Sequence, residues 1–373
     1  MYLDKKIMSL IDKKILLFMP LIGGGGVEKN FFLIANFLAT KFRRIYICSA
    51  YIKYKPKLNK NIIFINTKKN LFRNLFFIYL KSFLLLIKFL LNNKNVRILS
   101  FQANIYCILI SRLMGAKIIV RSNASPVGWA NNLFKRKIFN FIIKKSNKII
   151  VNSFDFQKEM KKIFGISSKL IYNPLNLNEI KLLSKSKTHF KFFDEYKYLK
   201  ILNIGRLTKQ KDQITLLKSI RLIKNKIKFR LLIVGSGSER TNLNNFIKKN
   251  NLINNVKIIE YQKNPFGILK KSDLFILSSK YEGLPNVLLE AATLKKFIIS
   301  SNCSTGPSEI LNRGKYGLLF KVGDYKDLTK KIMKYYLMKK KIKQKMSNNL
   351  YKSLTKYNLK KNLNKYFYEL KKY

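Results

Sequence analysis

The sequence predicts an α/β chain of two successive halves, each a parallel sheet covered by helices. Three observations predict it. Apolar runs of strand length alternate with amphipathic runs of helix length along most of the chain. Glycine turns stand where strands end, as in "LIGGGG", "NIGRL" and "IVGSG". The alternation completes one series, breaks at "NPLNLNEIKLLSKSKTHF" around residues 174–190, and begins again. The length of 373 residues leaves room for two ordinary domains.

In the first half "KKILLFMPL" reads as a strand, "IGGGG" as its turn and "VEKNFFLIANFLATK" as a helix. "RIYICSAY" and "NIIFIN" are the next strands, followed by a long apolar helix and the strand "VRILSF". "CILISRLMG" is helix, "AKIIVRSN" and "NKIIVNS" are strands, "FDFQKEMKKIFG" is helix, and "SKLIYNPLN" closes the series. The second half repeats the order. "YLKILNIGRL", "FRLLIVGSG", "NVKIIEY", "DLFILSS", "FIISSN" and "YGLLF" are strands. The helices between them are "KDQITLLKSIRLIKNK", "ERTNLNNFIKKNNL", "NPFGILKKS" and "PNVLLEAATLKK", and a Lys-rich helical tail follows from about Asp327. Two such series imply two Rossmann-like domains. The expected boundaries are 1–178, 179–350 and a terminal helix over 351–373.

Lys and Arg number 76 against 18 Asp and Glu, a formal charge of +58. Such a field attracts anions, whether nucleotides, nucleic acid or an anionic membrane surface. The abundance of Lys, Asn, Ile, Phe and Tyr fits coding bias equally well, with most lysines on solvated faces. Cys48, Cys107 and Cys303 are too scattered for a zinc site or a disulfide framework, and a reducing cytosol is expected. The opening "MYLDKKIMSLIDKKILLFMP" does not read as a signal peptide. The apolar stretch Leu75–Leu91 contains Lys81 and Lys88, which share a helical face that Asn74 extends. It is expected to cover a sheet or to dip into a membrane, not to span one.

The scarcity of carboxylates makes their placement informative. Glu282, Glu290 and Glu309 all lie within the 31 residues from Tyr281 to Leu311. "DLFILSS" ends a buried strand, "KYEGLP" turns, and Pro285 suits the first turn of a helix. Backbone N–H groups from Gly283 to Val287 would then face an anion outside a strand's carboxyl end. Glu282 precedes that helix and Glu290 follows eight residues later. The pair suits a ligand with hydroxyls at two places and phosphate between them. In "NIGRLTKQKD", Gly205 ends a strand and Arg206 and Lys211 follow, a bidentate cation and a point charge for phosphate oxygens. "IVGSGSER" has Arg240 where a dinucleotide fingerprint needs its third glycine, so Gly235 and Gly237 read as a strand-to-helix turn. In "LIGGGGVEKNF" the backbone can approach a ligand closely. Glu28 there is the only acidic residue between Asp12 and Asp155, and reads either as functional or as a first-turn Glu favoured by the helix dipole.

The sole histidine, His189, sits at the expected linker, which excludes Ser-His-Asp and Cys-His catalysis. No Asp-x-Asp or metal-ligand spacing occurs, and no nucleic-acid motif is present beyond bulk charge.

Together "NIGRLTKQKD", "YQKNPFGILKKSDLFILSSKYEGLPNVLLEA" and "GPSEIL" resemble the retaining GT-B glycosyltransferases of family 4. "GGGGVEKNFFLIANFLA" is similar to that family's N-terminal glycine loop and first helix, and "IIVNS" and "IYNPLN" to the end of its first domain. The likeness covers almost the whole chain and is most specific over residues 200–312. "LPNVLLEA" and "TGPSEIL" resemble bacterial members that build surface polysaccharides or lipid-linked oligosaccharides.

The resemblance implies a GT-B fold, with two Rossmann-like domains whose parallel sheets face a central cleft. It implies a nucleotide diphosphate sugar as donor, most often UDP-linked, and no metal or other cofactor. Arg206 and Lys211 would neutralise the leaving diphosphate, and Glu282 would bind donor-sugar hydroxyls. The N–H groups of Leu284, Asn286 and Val287, on either side of Pro285, would hold phosphate, and Glu290 the ribose. Tyr261 and Gln262 would flank the base. The Gly23–Gly26 loop, with Gly25 and Gly26, would close over the donor. The terminal helix would return to the first domain.

Two departures concern specificity. Glu260 stands where many members have Gly, and "RSNASPVGW" lacks the histidine usual at the acceptor cleft. Arg121, Asn123 and Ser125 are the polar candidates there, with Glu28 also on the acceptor side, and no catalytic base is assigned. The expected partners are the donor, a glycan or lipid-linked acceptor and an anionic membrane surface, but no nucleic acid. The basic, aromatic segment Asn131–Lys145 could sit on anionic lipid. The expected location is the cytoplasm, peripheral on the inner face of the membrane. The competing readings are a nucleotide-sugar epimerase on the same fold and a non-enzymatic polyanion or membrane-surface binder.

Overall fold

The computed structural model describes residues 10–53, 57–66, 74–123, 132–186, 190–194 and 198–372. His189 and Ser125 lie outside the described residues. The chain divides into two compact units. The first holds the described residues up to Asn152, Gln157–Pro174 and the segment from Leu359. The second holds Ser153–Phe156 and Leu175–Asn358.

The first unit begins with β1 (Ile11–Phe18), β2 (Leu21–Ile22), α1 (Gly26–Leu38), β3 (Phe42–Cys48), β4 (Tyr51–Ile52) and β5 (Ile62–Phe64). It continues through α2 (Leu75–Leu91), β6 (Arg97–Ser100), α3 (Asn104–Leu113), β7 (Lys117–Ser122), α4 (Leu133–Ile143), β8 (Lys148–Val151), α5 (Phe154–Phe164), whose first residues up to Phe156 belong to the second unit, and β9 (Lys169–Leu170). Seven strands form one parallel sheet in the order β5-β3-β1-β6-β7-β8-β9. Their runs of Ile, Leu and Val suit a sheet buried on both faces. Ile15 and Leu17 pack in the core that includes Phe31 and Ile34 of α1. The opposite face of the sheet meets α2 through Phe18 on Phe83, at 6.1 Å between rings, and Tyr46 on Phe89, at 4.9 Å. Asn74, grouped by spacing with Lys81 and Lys88, instead caps α2 by accepting from the Phe76 N–H at 2.9 Å. No helix among the described residues is long and apolar enough to cross a membrane.

The second unit contains α6 (Leu177–Leu183), α7 (Lys191–Asp194), β10 (Leu199–Ile204), α8 (Gln213–Ile223), β11 (Phe229–Val234), α9 (Arg240–Lys249) and β12 (Val256–Ile259). Then come α10 (Phe266–Lys271), β13 (Leu274–Leu277), α11 (Asn286–Thr293), β14 (Phe297–Ser301), α12 (Pro307–Ile310), β15 (Leu318–Phe320), α13 (Tyr325–Leu337) and α14 (Lys340–Lys352). Its parallel sheet has the order β12-β11-β10-β13-β14-β15. Its core joins Leu216 and Ile220 of α8 to Leu231, Ile233 and Ile276 of the sheet.

The divisions between units fall at Pro174/Leu175 and Asn358/Leu359, where the sequence suggested 178/179 and 350/351. The stretch read as a break contains α6, whose Asn176 side chain accepts from the Glu179 N–H at 3.2 Å. Residues 351–358 stay with the second unit because Leu354 and Tyr357 are buried there and the Leu175 N–H bonds the Tyr357 carbonyl at 3.0 Å.

The last helix, α15 (Leu359–Lys372), buries Leu363, Tyr366 and Leu370 in the core of the first unit. It also answers the expectation for Arg121, which is only 1% exposed. The Arg121 Nε donates to the Tyr366 hydroxyl at 2.7 Å and Nη2 to Asn173 Oδ1 at 2.5 Å. Nη1 donates to Asn123, and the guanidinium lies 5.5 Å from the Phe101 ring centre. A buried guanidinium needs its donors satisfied. All three of its nitrogens are engaged within the first unit, so Arg121 braces the core. We expect Tyr366→Phe to cost about 1–3 kcal/mol, because it orphans a buried charged donor. Denaturant unfolding checks this, and an unchanged midpoint would contradict the role given to Tyr366.

Candidate active site

The second sheet reverses direction once. From β10 the chain steps outward to β11 and β12, then returns to place β13 on the other side of β10. Loops following β10 and β13 therefore leave in opposite directions and open a crevice at the strands' carboxyl ends. Lys211 follows β10 and Glu282 follows β13, and the crevice brings them together at 2.5 Å. Both side chains are largely covered, at 16% and 9% exposure. Arg206 is exposed in the same loop, with Nη2 3.4 Å from Gln210 Oε1.

The two loops are tied to each other. The Gln210 amide donates to the Tyr281 carbonyl at 2.9 Å, the Lys280 N–H to the Gln210 carbonyl at 2.8 Å, and the Ser278 hydroxyl to the Lys211 carbonyl at 2.9 Å. The stem of Lys211 passes Gly205, where a Cβ would meet its carbons at 3.7 Å. From the far side the Thr305 hydroxyl donates to the Glu282 carbonyl at 2.6 Å. Gly306 has φ of 89° and presses on Gly283, so that a Cβ would come 2.3 Å from the Gly283 oxygen. Only glycine fits that contact. Thr305, Gly306 and Gln210 thus position the pair, and the sequence reasoning assigned none of them a role. The "TGP" turn was the available signal for Thr305 and Gly306.

Gly283, Leu284 and Pro285 lead from Glu282 into α11, and Pro285 takes the N-cap position instead of the first turn. Asn286 and Val287 open the helix, whose first N–H groups lack intrahelical partners and carry the positive end of its dipole. Glu290 lies just over one turn into α11 and is 8% exposed, so it is not a solvated helix residue.

Tyr261 and Gln262 follow β12, two strand spacings or about 10 Å from β10. Tyr261 is exposed, and its N–H donates to the Ser236 hydroxyl at 3.2 Å. The unexpected Glu260 pairs with Arg240 at 2.7 Å and accepts from the Ser236 hydroxyl. Gly235 and Gly237 face protein. A Cβ on either would strike the Gly205 or Leu207 carbonyl oxygen, at 1.9 and 2.2 Å. This loop packs on the loop after β10, as a turn should.

Glu309 is spent on structure. Its Oε2 accepts the Asp155 N–H at 3.1 Å, and its Oε1 lies 3.9 Å from Lys356. Burial pulls the Lys356 ammonium below its usual range, and Glu309 opposes that pull. Asp155 in turn takes two bonds from Arg313, at 2.5 and 3.2 Å.

The first unit has its own reversal, between β1 and β6. After β1 the glycine loop enters α1 with Gly25 as N-cap and Gly26 as the first helical residue. Glu28 folds back on that loop, accepting from the Gly23 N–H at 3.4 Å, as a first-turn carboxylate does. After β6 lies a cleft of about 340 Å³, lined by Val27, residues 101–106, Ser122, Asn123 and Phe139. The Asn123 amide also donates to the Phe101 carbonyl at 2.7 Å, so both its ends are engaged. Among the described residues Gln102 Oε1 is buried there with no hydrogen-bond partner, and Ala103 holds φ of 53°. A non-glycine residue in that region is strained, and such strain gathers at functional sites. The sequence reasoning missed Gln102, Asn104 and Tyr106, for which the polar "FQAN" after a strand was the only signal.

Fold and site together define a GT-B protein, two parallel-sheet Rossmann-like units with a cation-lined crevice in the second. The comparisons agree. Residues 184–353 match the family model described as "Glycosyl transferases group 1", so the second unit carries a domain of that family. An uncharacterized glycosyltransferase of Methanocaldococcus jannaschii is 34% identical over 201 residues, 49% of this chain and 50% of that protein. A Campylobacter jejuni relative is 27% identical over 227 residues, 58% of this chain and 60% of that one. It is named N-acetylgalactosamine-N,N'-diacetylbacillosaminyl-diphospho-undecaprenol 4-alpha-N-acetylgalactosaminyltransferase. The chain thus spans about half the length of the curated relatives it matches. Among solved structures, Anabaena HepE in complex with UDP aligns with a TM-score of 0.72 at 15% identity, over 96% of this chain and 100% of that one.

The geometry around Glu309 separates a structural from a donor-binding role. We expect Glu309→Ala to lower stability by about 1–3 kcal/mol, and Glu309→Gln, which keeps an acceptor for the Asp155 N–H, to lower it less. Nucleotide affinity measured by calorimetry is expected to stay unchanged in both.

Proposed function

We propose that the protein is a retaining glycosyltransferase. It moves a sugar from a nucleoside diphosphate sugar, UDP-linked by preference, to a glycan acceptor carried on a lipid. The observation that carries this reading is the Lys211–Glu282 pair at the reversal of the second sheet, beside Arg206 and the N-terminus of α11. A diphosphate in that crevice meets two cations and a helix dipole, and Glu282 and Glu290 supply acceptors for hydroxyls on either side. Preorganised positive charge stabilises the diphosphate as it departs, which is where charge develops in the transition state. The cations take this role without a metal. The acceptor hydroxyl attacks the face the leaving group vacates and passes its proton to the departing phosphate oxygen, so configuration is retained without a protein nucleophile.

UDP as the nucleotide is supported by the Anabaena complex, and a lipid diphosphate acceptor by the name of the Campylobacter relative. The setting we propose is assembly of surface polysaccharide or oligosaccharide at the cytoplasmic face of the membrane, with the protein peripheral to it.

Thermal unfolding with UDP, GDP, ADP, NAD and no ligand tests the donor side. A nucleotide at about 100 times its Kd adds about 2.7 kcal/mol of stability. We expect a selective shift with UDP that Glu290→Ala abolishes. Equal shifts with every polyanion, unchanged in the variant, would point to a charged surface binder instead.

A further inference from the structure

A cavity of about 340 Å³ lies in the second unit, away from the donor crevice. It opens beside Asp273 and Phe297, where β13 and β14 begin. Glu282 and Thr305 follow the carboxyl ends of the same two strands. Parallel strands put their beginnings and ends on opposite edges of a sheet, so the cavity is no part of the crevice.

One wall of the cavity is α14. Lys343 pairs with Ser347 and Gln344 with Asn348 at a spacing of four, so one face of the helix lines the cavity with polar side chains. Lys295, in the left-handed region at φ of 54° between α11 and β14, brings a second ammonium. The floor is aromatic. Phe297 and Tyr335 are both buried, with ring centres 4.8 Å apart.

The charges in this cavity do not balance. Asp273 is the one carboxylate among the residues that line it, and its Oδ2 already accepts the Lys200 N–H at 2.9 Å. The Lys343 ammonium lies 4.3 Å from the Tyr335 ring centre and donates to the Tyr336 carbonyl at 3.4 Å. The Lys295 ammonium lies 5.2 Å from the Tyr351 ring centre. Among the described residues neither forms an ion pair. The neighbouring Lys296 differs, since its ammonium is spent on the Lys270 and Ser272 carbonyls at 2.5 and 2.8 Å. Burial draws the Lys343 ammonium below its usual range, and Asp273 opposes that pull. A bound anion would oppose it further, because an opposite charge nearby favours the charged form.

We propose that this cavity binds a small sugar phosphate, its phosphate shared by Lys295 and Lys343 and its ring against Phe297 and Tyr335. A phosphate ester carries a charge of about −1.5 to −2, which two ammoniums match. Gln344, Asn348 and the second oxygen of Asp273 then meet the sugar hydroxyls. A free sugar leaves both cations unpaired, and a free phosphate leaves the aromatic floor uncovered. The volume falls at the small end of the range for ligand sites. The inference does not rest on the transferase reading, since no donor group takes part.

The test is titration calorimetry of glucose 6-phosphate, glucose 1-phosphate, glucose and inorganic phosphate into the full chain, with and without saturating UDP. UDP occupies the donor crevice, so binding that survives it is elsewhere. One equivalent of an ester is expected to bind in both conditions, with glucose and phosphate each at least roughly tenfold weaker. Lys295→Gln/Lys343→Gln is expected to weaken ester binding roughly tenfold or more. The unfolding midpoint and UDP affinity of that variant are expected to match the wild type, which shows that it is folded. Failure of the wild type to bind either ester would overturn the proposal. So would displacement of the ester by UDP, or a double variant that binds as tightly as the wild type. Inorganic phosphate binding as tightly as the esters would overturn the assignment to a sugar. Loss of UDP binding with ester binding intact would remove the donor reading alone and leave this site standing.

Discussion

The ion pair between Lys211 and Glu282 is the interaction on which the site depends. It exists because β13 returns beside β10 after two strands have been laid on the other side. That topology puts residues 71 positions apart in hydrogen-bond contact and leaves a crevice above them. A nearly covered ion pair costs desolvation, which its attraction offsets only when the geometry is held. The bonds from Gln210, Lys280 and Ser278, and the brace of Thr305 and Gly306, hold it. The pair is therefore preorganised, and a diphosphate entering the crevice meets charges already in place.

Much of this was legible in the sequence. Parallel strands buried on both faces read as unbroken runs of Ile, Leu and Val, and "DLFILSS" and "FIISSN" could hardly be anything else. Glu282 and Lys211 stood out because carboxylates are so rare here and because each follows a strand. What stayed hidden was long-range. Nothing near Arg121 announces that Tyr366, 245 residues later, will take its Nε, so a buried brace read as an acceptor contact. The Asn-Pro at 173–174 does stand where the units divide, at Pro174/Leu175, but the capped helix α6 inside the stretch read as a linker was not legible. The left-handed backbone of Ala103 has no sequence signal at all, since alanine normally avoids it.

The two units use one device differently. Each sheet has a single reversal with a concave feature at its strands' carboxyl ends. In the second unit that feature is polar and charged, suited to phosphate. In the first it is mostly apolar, with Phe101, Tyr106 and Phe139 around a few amides. The charge of +58 is consistent with both uses, because a nucleotide and an anionic headgroup are both drawn by it. Specific placement, not bulk charge, distinguishes them. Glu260 and Arg240 form an ion pair beside Tyr261 and so shape the region proposed to flank the base.

The central claim is that the crevice holds a nucleoside diphosphate through Lys211. Titration calorimetry of UDP into the wild type and into Lys211→Met/Glu282→Gln tests it most directly. The double variant removes both charges together and leaves no unpaired carboxylate in the crevice. Loss of a charge-assisted contact worth about 1.5–3 kcal/mol would weaken binding by roughly 10- to 150-fold. An unchanged affinity in a folded double variant would contradict the account.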